Sequence, residues 1–377
     1  MKIKQTVSNK SKKIIVETSR ILLGVVFVFS GFVKAVDPLG SAYKISDYFS
    51  AWELQFLDFL ALPGSFFQSA LEFTLGVLLL AGIYRKITSI LVLLVMCFMT
   101  PLTLYLAIVN PITDCGCFGD ALVITNWQTF YKNIVLLAAA VIVFLWHKQM
   151  TFLFSKKFRS LALWFTFLFI IGISLYCYTY LPVLDFRPYK IGNNISEGMT
   201  IPKNAEADVY EITFIYEKKG VKQEFTIDNY PKEDSGWVFV DTKSKLIKKG
   251  YEPPVHNFTI TTEQGYDITD EILADDNYTF LLIAHKLEKA SDSNIDKINE
   301  IYDYAKQNGY NFICLTASLP SQIKEWKENT GAEYPFCTMD DVTLKTIIRS
   351  NPGLMLIKKG TIINKWPSRK IPKKIDN

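Results

Sequence analysis

The sequence predicts an α-helical membrane bundle, a four-helix core with a fifth transmembrane helix, joined to a C-terminal polar α/β domain. Three observations carry that reading. Mean hydropathy is positive although 21% of the 377 residues are charged. The mixture resolves by position, because the chain is apolar up to about residue 182 and rich in Lys, Glu and Asp beyond it. Long uncharged runs fill the first half, and short alternating patterns fill the second.

The apolar runs lie at about 17–37, 66–84, 87–110, 128–146 and 161–181, each near the length that crosses a bilayer. The last, LALWFTFLFIIGISLYCYTYLP, is uncharged over 22 residues and has aromatics at both ends. The first contains Arg20 and Lys34, and no small-residue cleavage site follows it, so it is expected to be retained. Eleven Lys and Arg residues sit in the connections on one side, against Lys44 alone on the other. Positive charge stays inside, which puts a tail at 1–16 in the cytoplasm and the polar half outside. In a bacterium that is an inner-membrane protein with a periplasmic C-terminal domain, in a compartment where disulfides persist. The expected divisions are 17–150 for the bundle, 151–182 for the fifth helix, 183–252 for a linker with a small β-rich insert, and 253–377 for the α/β domain. Three histidines and no Cys/His cluster give no sign of a metal site. No basic stripe with interleaved aromatics points to nucleic acid.

Charges inside the bilayer mark the first helices. Arg20, Phe27 and Lys34 share one face at spacing seven, and Gly24 and Gly31 allow close helix approach. Glu72, about two turns into the second span, lies at the depth of Lys34. Unpaired, each would cost roughly 2.5–3.5 kcal/mol at mid-bilayer, so an ion pair is expected. It either fixes helix register or tunes a site beneath the following loop. Lys132, at the outer end of the fourth span, either snorkels or adds positive charge there. Pro101 frees a backbone carbonyl in the third span. Cys97 and Cys177 read as small buried hydrophobes.

That loop is DCGCFGDA, residues 114–121. A central glycine lets Cys115 and Cys117 close a small, strained disulfide, the labile kind that cycles. Nearby lysine or a helix N-terminus lowers a thiol pKa and makes the nucleophile. Asp114 and Asp120 flank the pair, and Gly119 and Asp120 complete a turn. The alternatives are a structural staple to another part of the chain, or inert thiols in a packed turn.

Arg20, Gly24, Gly31 and Lys34, then Glu72, Gly76, Gly82 and Arg85, together with DCGCFGDA, resemble the DoxX-like membrane family and most closely its MauE branch. The resemblance covers about residues 14–150. It implies a four-helix bundle and periplasmic thiol–disulfide or quinone-linked electron transfer, with Cys115 and Cys117 catalytic and a membrane quinone as one candidate acceptor. Nothing in the residues implies methylamine as substrate.

Beyond the fifth helix, DVYEITFIYE, KQEFTID and GWVFVDT alternate as short antiparallel strands. From 253 the order becomes hairpin, strand 278–284, helix 291–308, strand 310–317, helix 319–330, helix 340–349 and a hairpin around Lys359-Gly360. This order resembles TlpA-like thioredoxin-fold domains, in which Asn351-Pro352 would be the cis proline. The departure is AHKLEKASDSN, which lacks the Cys-x-x-Cys expected after the first core strand. Cys314 and Cys337 do not replace it, so the domain is expected to carry no redox activity of its own. A surface near His285 and Pro352 is expected to receive a periplasmic protein or peptide, although a lone histidine is more often structural.

Two functions compete on these grounds. One is a membrane thiol–disulfide oxidoreductase working through Cys115 and Cys117. The other is a non-enzymatic envelope assembly or scaffold protein whose inactive thioredoxin-like domain binds partners. Small-molecule transport has less support, because the intramembrane charges are few and near helix ends.

Overall fold

Gly31 decides how closely the first two spans cross. In the computed structural model, a Cβ at Gly31 would fall on the backbone nitrogen of Phe73, and one at Gly76 on the backbone of Val28. The model describes residues 2–374 apart from 113, 154, 208, 228, 232–235 and 249, with the side chains of 2–9, 156, 245, 246 and 248 also outside the description. Lys2, Lys4 and Lys156 of the positive connections therefore have side chains outside the described set.

The membrane half is α1 (Lys2–Val36), α2 (Pro38–Ala51), α3 (Ala61–Ala81), α4 (Arg85–Val109), α5 (Asn126–Leu145) and α6 (Arg159–Thr179). Five helical segments, at 10–36, 55–81, 85–109, 126–145 and 159–179, are long and apolar enough to cross a membrane. Residues 2–16 of the expected tail are part of α1, without a break. Four helices share one core, in which Leu23, Phe27, Leu75, Leu79, Val92, Met96, Leu136 and Val143 are buried together. The fifth span, α6, packs outside it through Ile170 against Ala35, Ala70 and Phe73. Arg20 donates to the carbonyls of Leu79 and Leu80 at 2.9 and 2.8 Å, satisfying the open end of α3.

Close backbone contact is the reason glycine stands at 31. Gly31→Ala should lower the thermal midpoint of the detergent-solubilised protein, with an overpacking cost of about 1–3 kcal/mol. An unchanged midpoint would show that α1 and α3 can part freely.

The connection between α1 and α3 is itself structured. Asp37 caps α2 by accepting from Gly40 N at 2.9 Å, and Pro38 occupies the first helical position.

The second half begins with α7 (Ile195–Met199). A three-stranded antiparallel sheet follows, from β1 (Val209–Lys218), β2 (Val221–Thr226) and β3 (Val238–Lys248), in the order β2-β1-β3. Then come β4 (Thr261–Thr262), α8 (Thr269–Ala274), β5 (Tyr278–Ile283), α9 (Ile295–Gln307), β6 (Asn311–Thr316), α10 (Pro320–Thr330), β7 (Phe336–Thr338), α11 (Asp341–Ile347), β8 (Gly353–Lys358) and β9 (Thr361–Pro367). Their sheet runs β4-β7-β6-β5-β8-β9, with β5, β6 and β7 parallel and the β8–β9 hairpin antiparallel on β5. Asn351-Pro352 is cis and immediately precedes β8. This is a thioredoxin-like topology, with a buried cluster on each face of the sheet.

Two expectations are corrected. Cys97 is exposed on the apolar outer surface of α4, whereas Cys177 is buried. A cysteine costs little in either setting, so sequence did not separate them. The stretch after α6 is also no free linker. Tyr189 and Ile195 are buried in the core of the C-terminal sheet, and Asn194 bridges Thr361 of β9.

Candidate functional site

The turn between α4 and α5 is built by two residues of the DCGCFGDA loop. Asp114 accepts from Gly116 N at 2.8 Å through one oxygen and from Lys44 Nζ at 2.7 Å through the other. Gly116 has φ +67, a conformation that favours glycine, and a Cβ there would crowd the Lys44 side chain at 3.1 Å. Gly119 N bonds Gly116 O at 3.2 Å and closes the turn. The N-terminus of α5 follows with a complete capping box, Thr125 and Gln128 each accepting from the other's backbone N–H.

Both thiols are free and buried, Cys115 at 7% and Cys117 at 9% exposure. Leu106, Met99, Leu102 and Tyr48 pack around them. The Tyr48 hydroxyl donates to Cys115 O at 3.0 Å, so α2 lies over the loop. The outward loop expected from sequence is therefore covered.

The thiols hydrogen-bond each other, which makes them unequal. That bond, and then burial, push Cys115 well above the usual thiol range. The same bond pulls Cys117 down to about 7 against burial, helped by the Lys132 and Lys34 charges. The pair therefore loses its first proton from Cys117, with Cys115 still protonated beside it.

Beneath the loop lies a closed polar cluster. Lys34 Nζ donates to Glu72 Oε2 at 2.7 Å, Ser30 Oγ at 2.7 Å and Cys117 O at 2.8 Å, using all three protons. Ser30 Oγ lies 2.6 Å from both Glu72 Oε2 and Cys117 O, and its single proton serves one of them at a time. Gln68 donates to the other Glu72 oxygen at 3.0 Å. The two residues placed at equal depth by sequence thus meet, and Lys34 holds the Cys-Gly-Cys loop by its backbone.

A cavity of about 40 Å³ opens here, lined by Cys117, Phe118, Lys34, Glu72, Lys132 and Asn133 among apolar side chains. Lys132 Nζ stands 4.2 Å from the centre of the Phe118 ring and lines this cavity. The space suits water and, well short of the roughly 300 Å³ of a small-molecule site, is too small to enclose a quinone ring. Among the described residues, no group of three His, Cys, Asp or Glu side chains converges as metal ligands would.

In the C-terminal domain, Cys314 and Cys337 lie on neighbouring strands, β6 and β7, in clusters on opposite faces of the sheet. They cannot act as a vicinal dithiol. His285, at the end of β5, stands 3.4 Å from Asp341 Oδ1, and burial takes its pKa down to about 4, so it is neutral near pH 7. Asn351 donates to Lys286 O at 2.8 Å, which brings the Pro352 loop to the same edge as His285.

One functional residue escaped the sequence reading. Arg349, 7% exposed, leaves the end of α11 and binds both oxygens of Asp37, at 3.0 and 2.9 Å, and Asp120 Oδ2 at 3.2 Å. Lys345 and Arg349 both stand over the Tyr43 ring of α2, at 5.2 and 5.4 Å. Burial opposes charge on Asp37, but Arg349 and Arg187 hold it below the usual carboxylate range. Asp120 is raised, mainly by burial. A lone arginine in a polar domain carries no sequence signal for a partner more than two hundred residues away.

Residues 12–146 match the family model described as methylamine utilisation protein MauE, and residues 210–249 match a domain of unknown function (DUF8463). No curated protein matches the chain. Among solved structures, a proposed protein disulfide isomerase from Bacteroides thetaiotaomicron is 18% identical, covering 30% of this chain and 77% of that one at a TM-score of 0.26. The thioredoxin domain of a thiol-disulfide oxidoreductase from Bacteroides vulgatus is 13% identical, covering 29% and 81% at 0.25. Five apolar spans and the matched bundle make this a multi-pass membrane protein. It joins a MauE-like membrane domain to a thioredoxin-like domain.

Proposed function

We propose that this is a bacterial inner-membrane thiol–disulfide oxidoreductase whose working pair is Cys115 and Cys117, facing the periplasm. The observation that carries the reading is the buried pair of free thiols, one residue apart, held over two lysines. In the reducing direction, the Cys117 thiolate attacks one sulfur of a disulfide in a periplasmic partner protein. A mixed disulfide forms, the partner's S–S bond breaks, and its first thiolate leaves and takes a proton. Cys115 then loses its proton and attacks Cys117 Sγ, releasing the second partner thiolate. Two electrons pass to the partner with the proton from Cys115, the partner's second proton comes from water and balances the one Cys117 lost on ionising, and a Cys115–Cys117 disulfide remains. The reverse sequence oxidises a partner dithiol.

The polar cluster orients this chemistry. Lys34 fixes the Cys117 carbonyl, and Lys132 supplies positive charge beside the thiolate. The C-terminal domain contributes recognition and no electrons, since its two cysteines face opposite sides of the sheet.

Thiol trapping in intact cells tests the reading. A membrane-impermeant maleimide should modify Cys115 and Cys117 only after reduction. Modification without reduction under all growth conditions would favour a scaffold, and modification from the cytoplasmic side alone would overturn the orientation.

A further inference from the structure

Cys115 and Cys117 are closed off by α2, and α2 is held by a residue of the other domain. From α2, Tyr48 donates to Cys115 O, and Lys44 pairs with Asp114 at 2.7 Å. The start of the same helix is capped by Asp37, and Asp37 takes the Arg349 guanidinium through both oxygens. The same guanidinium reaches Asp120, three residues beyond Cys117. Arg349 therefore ties together the cover, the redox loop and α11 of the C-terminal domain. It also lies two residues before Asn351, in the segment that leads to the cis-proline edge.

We propose that Arg349 is a latch by which the C-terminal domain keeps α2 shut over the Cys-Gly-Cys loop, so that release of its ion pairs admits a partner to the thiols. This rests on the redox reading for its purpose, but not for its readout. A guanidinium this buried is stable only while its carboxylates stay in place, so the contact exists as a closed state or is lost as a unit. The apolar residues packed around the thiols all belong to the membrane half. An extended polypeptide settling against the proline edge would press on the segment that carries Arg349, which couples recognition to opening.

The test uses the full-length protein, reduced beforehand, in detergent or membrane vesicles. N-ethylmaleimide modification is followed at each cysteine by mass spectrometry for the parent, Arg349→Ala, Asp37→Asn and Arg349→Lys. Modification of Cys115 and Cys117 should be slow in the parent and faster by roughly tenfold in Arg349→Ala and Asp37→Asn, as expected when a local opening becomes more populated. Arg349→Lys, which keeps the charge but not the fork, should fall between them. The pH midpoint of the reaction should stay where it is, because access changes and the thiol does not. Cys314, fully buried in the sheet, should remain unmodified throughout. Equal rates in the parent and both variants would overturn the latch. Modification of Cys314 in step with Cys117 would also overturn it, since the domain would then be unfolding and not undocking. Faster modification in a protein that exchanges with no disulfide would keep the latch and remove the redox reading.

Discussion

Lys34→Met will destabilise the bundle by about 3–5 kcal/mol, Glu72→Gln will do the same, and the two together will cost less than either alone. Each single change strands one charge in a site where both side chains are almost fully enclosed. Lys34→Met also removes a donor from the Cys117 carbonyl, leaving Ser30 as its remaining side-chain donor. Glu72→Gln keeps the shape but leaves the ammonium without its counter-charge. The double variant exchanges a desolvated ion pair for neutral groups of similar volume, which buried sites often tolerate. The check is a double-mutant cycle on thermal unfolding in detergent. Additive losses would mean that the 2.7 Å contact makes no energetic contribution.

The second large effect separates the two cysteines. Cys117→Ser should abolish exchange with a model disulfide, because it removes the lowered thiol and leaves Cys115, whose burial still raises it. Cys115→Ser should keep the attack but stop at the mixed disulfide, which non-reducing electrophoresis would show as a stable adduct. The pH dependence follows from the lowered thiol. Its reactive form is present above about 7 and is lost as the pH falls through that value, so the attack rate should rise across pH 6–8 and then level. Lys132→Met removes positive charge beside the thiolate and should move this rise to higher pH. An adduct formed by the Cys117→Ser variant at the same rate as the parent would assign the nucleophile wrongly.

Much of this was legible in the residues. The five spans announce themselves because a bilayer demands long uncharged helices. Lys34 and Glu72 could be matched by depth, since each helix has a fixed rise and the two run side by side. The thioredoxin-like order was visible in alternating strands and helices, and Gly116 in the spacing of its cysteines. What was not legible depends on contacts between distant parts of the chain. The α2 cover has no strong apolar period, so residues 38–65 read as a plain connection. The clamp from Arg349 to Asp37 spans 312 residues, and charge pairs at that separation leave no local pattern. Cys115 and Cys117 look exposed in sequence for the same reason.

The three-stranded sheet enters and leaves the C-terminal domain at almost one point. Val255 N bonds Gly198 O at 3.0 Å, and Tyr251 N bonds Glu206 O at 2.8 Å, so the two ends are tied together at its root. Tyr189 and Ile195 lie before this junction, inside the core that resumes after it. In polymer terms the sheet is a side loop whose closure is already made by the domain, and closure entropy grows only with the logarithm of loop length. The segment between 199 and 254 is thus free to lengthen, shrink or be exchanged at little cost to the fold that carries it. A cut at 253, by contrast, would remove part of that fold's own interior.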